Sequence, residues 1–347
     1  MSAPHVDFLI VGQGLAGSIL ALNLQQRGKS VLVIDNEHYG SASQVAAGLI
    51  NPVNGHRLNL TDNFEQYWPV ANAFYQSFVK TTGISVHRAV TQYRRIKHPG
   101  QVTYLDKRLQ QAEYQALLSK HSDSPFLASE PHSCIQVHQT SAVDTPTLLS
   151  QTKTILVDQG AYSVTKLNYH DLSVTSQGIT VQGVQAGTII FCEGYQAIEN
   201  PWLENLPFKL AKGEILDVEV SAPLPGMLSW GSWLLPSADN SASARLGSNY
   251  DWHDLSLTPT LEIAQKLLTT LQQHTGLQAK ITAHQTGIRP TTRQRRPFIG
   301  AIRSLQHAYC FNGFGSKGCL TIPYYANLLC EHLITGKPLH EELTEWL

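Results

Sequence analysis

Residues 7–35, DFLIVGQGLAGSILALNLQQRGKSVLVID, decide the fold of this chain. The apolar run at residues 7–12 predicts a buried strand, and residues 30–34 predict a second one. Between them, apolar residues recur at helical spacing across residues 15–22. The order of strand, glycine turn, helix and strand predicts a βαβ unit, which begins a parallel sheet.

The glycines of this unit form a GxGxxG motif made by Gly12, Gly14 and Gly17. The first permits a tight turn, the second lets a pyrophosphate approach the backbone, and the third allows helix and strand to pack closely. The helix N-terminus offers free N–H groups and a partial positive charge to phosphates. Asp35 follows at the end of the second strand, where a carboxylate can accept hydrogen bonds from ribose hydroxyls. The unit therefore predicts a dinucleotide site. Asp35 without a basic neighbour argues against the 2′-phosphate of NADP.

The rest of the chain favours FAD over NAD. A small-residue segment, SASQVAAGLINP at residues 41–52, stands where a further βα unit would continue a nicotinamide-binding fold. Two other motifs return late, TIIFCEG at residues 188–194 and GFGSKG at residues 313–318. Contacts from such distant segments suit an extended cofactor.

Periodicity predicts the remaining elements. We expect helices at 64–79, 109–120, 144–153 (capped by Asp144 or Thr145, with Pro146 in the first turn), 258–275 and up to 333. We expect strands within 84–95, within 154–192, and at 209–220, 242–249 and 308–311.

Composition and net charge argue against a disordered, a nucleic-acid-binding or a membrane-spanning protein. Of 347 residues, 42% are apolar and 15% charged, so the chain can form a packed core. A net charge of −1 makes a nucleic-acid partner unexpected. No apolar run approaches the roughly 20 residues of a membrane span, and the first residues lack the features of a signal peptide. These features predict a cytoplasmic protein.

Cysteine and histidine spacing predicts no metal site. The five cysteines are scattered, and no pair shows CxxC spacing. His132, Cys134 and His138 lie close in sequence but lack a fourth ligand and a regular spacing.

Several motifs resemble the D-amino-acid oxidase/glycine oxidase family of FAD enzymes. They are residues 43–52, residues 188–194, Lys212-Gly213-Glu214, LGSNYD at 246–251 and GIRPTTRQRRPFIG at 287–300. Two departures stand out, because Cys192-Glu193 replaces the family's Ala-Thr and Gln294 replaces its acid. GFGSKGCLTIPYYANLL, which begins at Gly313, is most similar to the oxidase module of a bifunctional tRNA wobble-uridine modification enzyme of the same family.

The resemblance implies an α/β fold with two lobes. A Rossmann-like FAD-binding domain would comprise residues 1–80, 146–200 and 284–347. An interwoven substrate domain with an antiparallel sheet would comprise residues 81–145 and 201–283. FAD would be bound non-covalently.

The expected FAD contacts come from six parts of the chain. They are Gly12, Gly14, Leu15, Ala16, Gly17, Asp35, Asn36, Ser43, Ala46, Ala47, Gly48, Val164, Gly194, Gly315, Ser316, Lys317, Gly318, Cys319 and Leu320.

Three side chains are expected to act on the substrate. Arg289 matches the family arginine that holds the substrate carboxylate, since a guanidinium can bind a carboxylate in a bidentate manner. Lys317 would place a cation near the flavin and help oxygen to accept electrons, or else it points to solvent. Tyr250 would line the substrate pocket, or else it packs as an ordinary aromatic residue.

The resemblance implies a reaction as well as a site. In this family the α-hydrogen passes to flavin N5 as a hydride, and the resulting imine hydrolyses. A small amino acid or amine would be the substrate, and oxygen or another acceptor would take the electrons. Two alternatives remain open: an RNA-modifying oxidase acting on a carboxymethylaminomethyl group, with a basic surface at residues 289–296, and a flavoprotein redox partner.

Overall fold

The protein is described here by a computed structural model that covers residues 5–97, 99–121, 124–126 and 134–347. His132, considered above as a metal ligand, lies outside the described residues. The strands are β1 His5–Val11, β2 Val31–Asp35, β3 Leu49–Ile50, β4 Val53–Asn54, β5 Asn59–Leu60, β6 His87–Ala89, β7 Gln92–Arg95, β8 Leu118–His121, β9 Cys134–Val137, β10 Ser141–Val143, β11 Tyr162–Val164, β12 Ser173–Thr175, β13 Gly178–Val181, β14 Val184–Phe191, β15 Ala211–Val220, β16 Met227–Ser229, β17 Trp233–Pro236, β18 Ser243–Gly247, β19 Ala279–Arg289, β20 Phe298–Ala301 and β21 Ala308–Asn312.

The helices alternate with these strands in the first and last parts of the chain. They are α1 Leu15–Gln26, α2 Ala42–Val45, α3 Phe64–Thr82, α4 Pro99–Leu109, α5 Ala112–Gln115, α6 Thr145–Asp158, α7 Leu261–Thr275, α8 Gly318–Thr335 and α9 Glu341–Thr344, with 3₁₀ turns at Tyr169–Asp171 and Gly194–Glu199.

The first sheet contains the predicted βαβ unit. Its strand order is β11-β2-β1-β14-β13-β12, and β21 adds to β14 while pairing with β20. The pairs β11-β2, β2-β1, β1-β14 and β14-β21 are parallel, whereas β13 pairs with β14, β12 with β13 and β20 with β21 in antiparallel fashion. Helices α1, α3 and α8 pack on this side of the molecule, where Ile10, Ile19 and Leu329 are fully buried. The carboxyl ends of β1, β2 and β14 therefore meet at one edge, which is where ligands bind in open α/β sheets.

The second sheet is largely antiparallel and forms the other lobe. Its order is β19-β15-β18-β17-β16-β7-β9-β8, with a parallel pairing between β16 and β7. Helix α7 covers one face, burying Leu267 and Leu271 against Leu216 and Leu246. The opposite face is left to line the cavity described below. The α/β fold class with a Rossmann-like lobe and an antiparallel lobe is confirmed.

Most of the predicted elements are present. Helix α3 begins at Phe64, and α6 begins at Thr145 with Asp144 Oδ1 accepting a hydrogen bond from the Thr147 N–H at 3.1 Å. The helix predicted at 109–120 is wrong as one continuous element, because α4 ends at Leu109, α5 covers only Ala112–Gln115 and β8 begins at Leu118. Pairing of β8 with β9 overrides the local helical periodicity. Residues 154–158, expected in a strand region, continue α6.

The proposed division into domains stays a prediction. Strand β19 crosses the expected boundary at residue 284. A small sheet of order β3-β10-β6 joins segments assigned to both lobes. The chain therefore passes between the lobes several times, which makes the two lobes interwoven rather than consecutive.

Candidate active site

A single cavity runs from the carboxyl ends of β1 and β2 to the uncovered face of the second sheet. Nearly every residue expected to contact FAD lines it: Gly12, Gly14, Leu15, Ala16, Asp35, Asn36, Ser43, Ala46, Ala47, Gly48, Gly194, Gly315, Ser316, Lys317, Gly318, Cys319 and Leu320. Arg289 and Tyr250 line it as well. Residues separated by up to 308 positions, from Gly12 to Leu320, thus meet around one volume.

The nucleotide end of the cavity is built by the glycine turn. Gly14 is the N-cap of α1, and the Leu15 N–H donates to Ser43 Oγ at 3.0 Å. The other N–H groups of the first turn have no partner within a helix. A Cβ on Gly14 would lie 3.2 Å from Ser43 Oγ and would occupy space that the cavity leaves for a ligand. The turn fits the phosphates of a dinucleotide.

Gly12 and Gly17 have a different role from Gly14. A Cβ on Gly17 would lie 1.9 Å from the Gly12 carbonyl oxygen, so no side chain fits where α1 crosses the turn. Gly12 has φ +99°, and a Cβ there would lie 2.6 Å from the Cys192 carbonyl oxygen. Gly17 is absent from the cavity lining, so it acts through close packing of helix on strand.

Asp35 orders the end of β2. Its carboxylate accepts hydrogen bonds from the backbone N–H groups of Gln13 and Glu37, each at 2.6 Å. The remaining lone pairs face the cavity, where a ribose would be recognised. Val164 pairs with Asp35 in β11, but its side chain is 61% exposed and does not line the cavity. Any contact of Val164 with a ligand would therefore use its backbone.

The segment at residues 41–48 forms the middle wall of the cavity. Gly48 has φ +69°, and a Cβ there would lie 1.8 Å from the Val143 carbonyl oxygen. Arg245, which the sequence analysis did not identify, donates to the carbonyl oxygens of Ala46 and Val45, both at 2.7 Å. Asp217 lies 3.3 Å from Arg245 Nε. The second lobe thus holds the wall segment in place.

Arg289 ends β19 and points its guanidinium into the cavity. Its Nη atoms donate to the carbonyl oxygens of Lys212 and Asn249, both at 3.3 Å, and to Ser248 Oγ at 3.1 Å. The Tyr250 ring lies under the guanidinium, with 4.1 Å from Cζ to the ring centroid. Burial lowers the pKa of Arg289 from its ordinary value. Within the described residues, no carboxylate forms an ion pair with Arg289.

A buried network supports the loop that carries Tyr250. The Lys212 side chain is 1% exposed, and its Nζ donates to Asp254 Oδ2 at 2.6 Å and to the Thr258 carbonyl at 2.7 Å. Glu214 accepts from both the N–H and the hydroxyl of Thr260. Because Lys212 and Glu214 flank Gly213, which faces the cavity, their side chains leave the opposite face of β15.

The C-terminal loop closes the cavity at the start of α8. Gly313 and Gly315 adopt φ values of +86° and +57°, which turn the chain sharply from β21 into the helix. Residues 315–320 all line the cavity, so the start of α8, where the first N–H groups of a helix lack intrahelical partners, lies at its wall. Burial is the main cause of a lowered pKa of Lys317, opposed by Asp62.

Glu193 is a buried acid that the sequence analysis noted only as a departure. Its carboxylate accepts from the Tyr169 hydroxyl at 2.7 Å and from Asn200 Nδ2 at 2.9 Å. Burial raises the pKa of Glu193 to about 7. It lines the cavity beside Gly12 and Gly194, at the nucleotide end.

The described part of the chain has neither a metal-binding cluster nor a membrane-spanning helix. No cluster of three His, Cys, Asp or Glu side chains there could hold a metal ion. Within the same residues, no helix is both long and apolar enough to cross a bilayer.

A glycine cradle for a dinucleotide and an unpaired guanidinium in one cavity define a flavoprotein oxidoreductase. The chain matches the family described as FAD dependent oxidoreductase over residues 7–332, and it belongs to that family. FAD is therefore its cofactor, and the residues that line the nucleotide end fit it.

Individual relatives are distant in sequence. The chain is 24% identical to the uncharacterized oxidoreductase YurR of Bacillus subtilis, over 98% of each protein. It is 22% identical to the tRNA 5-methylaminomethyl-2-thiouridine biosynthesis bifunctional protein MnmC of Idiomarina loihiensis, over 95% of this chain and 56% of that protein. Its fold matches a crystal structure of glycine oxidase from Bacillus cereus with a TM-score of 0.80, at 17% identity and over 97% of each chain.

Proposed function

We propose that the protein oxidises the C–N bond of a small amino acid or related amine, and that Arg289 binds the substrate carboxylate. The observation that supports this most is the state of Arg289, a buried cation that faces the cavity and has only neutral acceptors. A buried charge is costly unless it is paired. A substrate carboxylate would supply the missing partner, in a bidentate pair.

The neighbours of Arg289 prepare it for this role. Ser248 and two carbonyl oxygens hold the guanidinium, and the Tyr250 ring supports one face. The planar group is therefore oriented before a ligand arrives, which lowers the entropy lost on binding. A carboxylate fixed in this way would hold the adjacent carbon and its amino group inside the cavity that residues 45–48 also line.

The chain's other cavity residues would hold the cofactor. Bound FAD supplies the acceptor for the electron pair that leaves the C–N carbon. The N-terminus of α1 would bind its phosphates and Asp35 its ribose. The first-turn N–H groups of α8 would donate to the polar edge of the ring system, with Lys317 adding a positive charge nearby. Oxygen or another acceptor would then take the electrons.

An anaerobic absorbance titration of the flavin-loaded protein tests the proposed reaction. A panel of amino acids, N-methyl amino acids and simple amines is added, and we expect the flavin bands to bleach with at least one carboxylated amine. Bands that persist with every compound would contradict the proposed reaction and leave a redox-partner role.

Variants of Arg289 test the assigned residue. Loss of a charge-assisted pair of hydrogen bonds costs on the order of 3 kcal/mol, or over 100-fold in kcat/KM. We expect Arg289→Gln to show such a loss, with FAD affinity retained. Arg293→Gln is the matched control, since Arg293 is exposed on the same segment. Equal activity of Arg289→Gln and the control would remove the assignment.

An RNA-modifying oxidase is the second candidate, favoured by the match to MnmC. A carboxymethylaminomethyl group is also a carboxylated amine, so Arg289 could serve it. The expected basic surface at residues 289–296 is weakened, however, because Arg289 lies in the cavity and Arg296 pairs with Glu342 at 2.9 Å. RNA binding that falls steeply with salt would favour this candidate.

A further inference from the structure

A second arginine lines the cavity, on the sheet that does not carry the nucleotide site. Arg94 lies on β7, and its Nη2 donates to the Gly55 carbonyl oxygen at 2.5 Å. The cavity lining also includes Asn51, Val53, Asn54 and Gly55, which follow the segment at residues 45–48, and residues of strands β7 and β16. Strand β7 belongs to the second sheet, whereas Asp35 and the glycine turn belong to the first.

Strand register places Arg94 and Arg289 on the same face of the second sheet. Arg94 is level with Ser229, which is level with Trp233, and all three line the cavity. Arg289 is on β19, five strands away from β7 in the sheet order. Five spacings amount to about 24 Å between the two strands, and the register puts Arg94 level with Gln285, four residues or about 13 Å from Arg289 along β19. A ligand that reaches both guanidinium groups must therefore be elongated.

Among the described residues, Arg94 has unused hydrogen-bonding capacity. A guanidinium carries five N–H donors, and Gly55 accepts from one of them. Burial alone lowers the pKa of Arg94, with no contribution from any acid. No carboxylate pairs with it in the described ranges, nor with Lys97, whose Nζ lies 2.8 Å from the position a Cβ would take on Gly231 at the cavity wall.

Polar side chains accompany Arg94 at this end. Gln92 is 2% exposed and donates to Ser229 Oγ at 3.0 Å, while it accepts from Thr140 Oγ1 at 3.0 Å. A pocket that binds an apolar side chain would not contain this buried amide of Gln92. The combination of a cation and neutral donors suits the oxygens of an anion.

We propose that Arg94 binds a second anionic group, a carboxylate or a phosphate, on an elongated substrate whose first carboxylate is bound by Arg289. This inference rests on the proposed function for the first contact. It predicts that the protein prefers amines with two anionic ends over glycine-like compounds.

Ligand titrations of the flavin-loaded protein test the second contact without turnover. Matched pairs of straight-chain acids, hexanoate with adipate, octanoate with suberate and decanoate with sebacate, are added while the flavin spectrum reports binding. We expect the diacid to bind about tenfold or more tightly than its partner at one chain length. Arg94→Gln should abolish that preference and leave monoacid binding unchanged, since its amide can still donate to Gly55.

Arg95→Gln is the matched control, because Arg95 is next in the chain, contacts His274 and does not line the cavity. It should retain the preference for diacids. No preference at any length, or equal losses for monoacids and diacids in Arg94→Gln, would overturn the inference.

Two further arms separate the alternatives. If Arg289→Gln binds monoacids as tightly as the unaltered protein does, the proposed function is contradicted. The dependence of the diacid preference on Arg94 is measured separately, in Arg94→Gln. Phosphonoalkanoates of the same lengths identify the second group: tighter, Arg94-dependent binding than the diacids indicates a phosphate, and weaker binding indicates a carboxylate.

Discussion

Replacement of Glu193 by glutamine should remove a pH dependence of stability that this buried carboxyl imposes. The side chain is buried beside the glycine turn, and burial raises its pKa from 4.5 to about 7. The hydrogen bonds from Tyr169 and Asn200 oppose that rise without cancelling it. Glutamine can accept from Asn200 and donate to the Tyr169 oxygen, so the replacement keeps the packing.

The sign follows from proton binding. Below pH 4.5 the group is protonated in both folded and unfolded protein, and above about pH 7 it is ionised in both. Between these values the folded protein binds more protons, so the free energy of unfolding falls as pH rises. At about 1.4 kcal/mol for each pKa unit, the full loss is about 3 kcal/mol. Glu193→Gln should therefore gain about 3 kcal/mol relative to the unaltered protein between pH 4.5 and pH 8.

Urea denaturation of the flavin-free proteins at several pH values measures this difference. Flavin-free protein is chosen because a bound diphosphate would add its own charge to the site. Glu204→Gln is the control, because Glu204 is exposed on the segment that follows Glu193. Its free energy of unfolding should vary with pH in parallel with that of the unaltered protein. Parallel pH curves for Glu193→Gln and the unaltered protein would refute the reasoning.

Three other substitutions have expected outcomes. Gly213→Ala places a Cβ 2.1 Å from Arg289 Nη2, so we expect kcat/KM to fall while FAD affinity, measured by titration, stays constant. Arg245→Met removes the guanidinium donors from the carbonyl oxygens of Val45 and Ala46, of which Ala46 keeps a longer bond from Thr145 Oγ1 at 3.4 Å, and the Kd for FAD should rise about tenfold or more. Lys317→Met should slow reoxidation of the reduced protein in stopped-flow experiments, and Lys317→Arg should restore it. As pH rises, the reoxidation rate of the unaltered protein should fall when Lys317 loses its proton. This fall should occur below the ordinary lysine pKa of 10.5, because burial lowers the pKa of Lys317. An unchanged oxidation rate in Lys317→Met would confine this residue to backbone contacts.

Local features of the sequence determined the nucleotide end of the site. The βαβ unit, the glycine turn and Asp35 lie within 29 consecutive residues, from Asp7 to Asp35, so periodicity and turn chemistry were enough to predict them. The same reasoning predicted α3 and a cap of α6 at Asp144 or Thr145, of which the structure has Asp144, because helices and their caps depend on neighbouring residues. Motif resemblance added Arg289 and the loop before α8, which the structure places in the same cavity.

Contacts between distant segments were decided only by the tertiary structure. Arg245 reaches Val45 and Ala46 across about 200 positions of sequence, and Arg94 shares a cavity with Arg289 through the register of six strands. Glu193 acquires its altered pKa from burial among side chains that no local pattern identifies. The false helix at residues 109–120 has the same origin, since pairing of β8 with β9 outweighs local preference. Sequence periodicity records which face of an element is buried, whereas strand pairing and burial determine which charges meet and which remain unpaired.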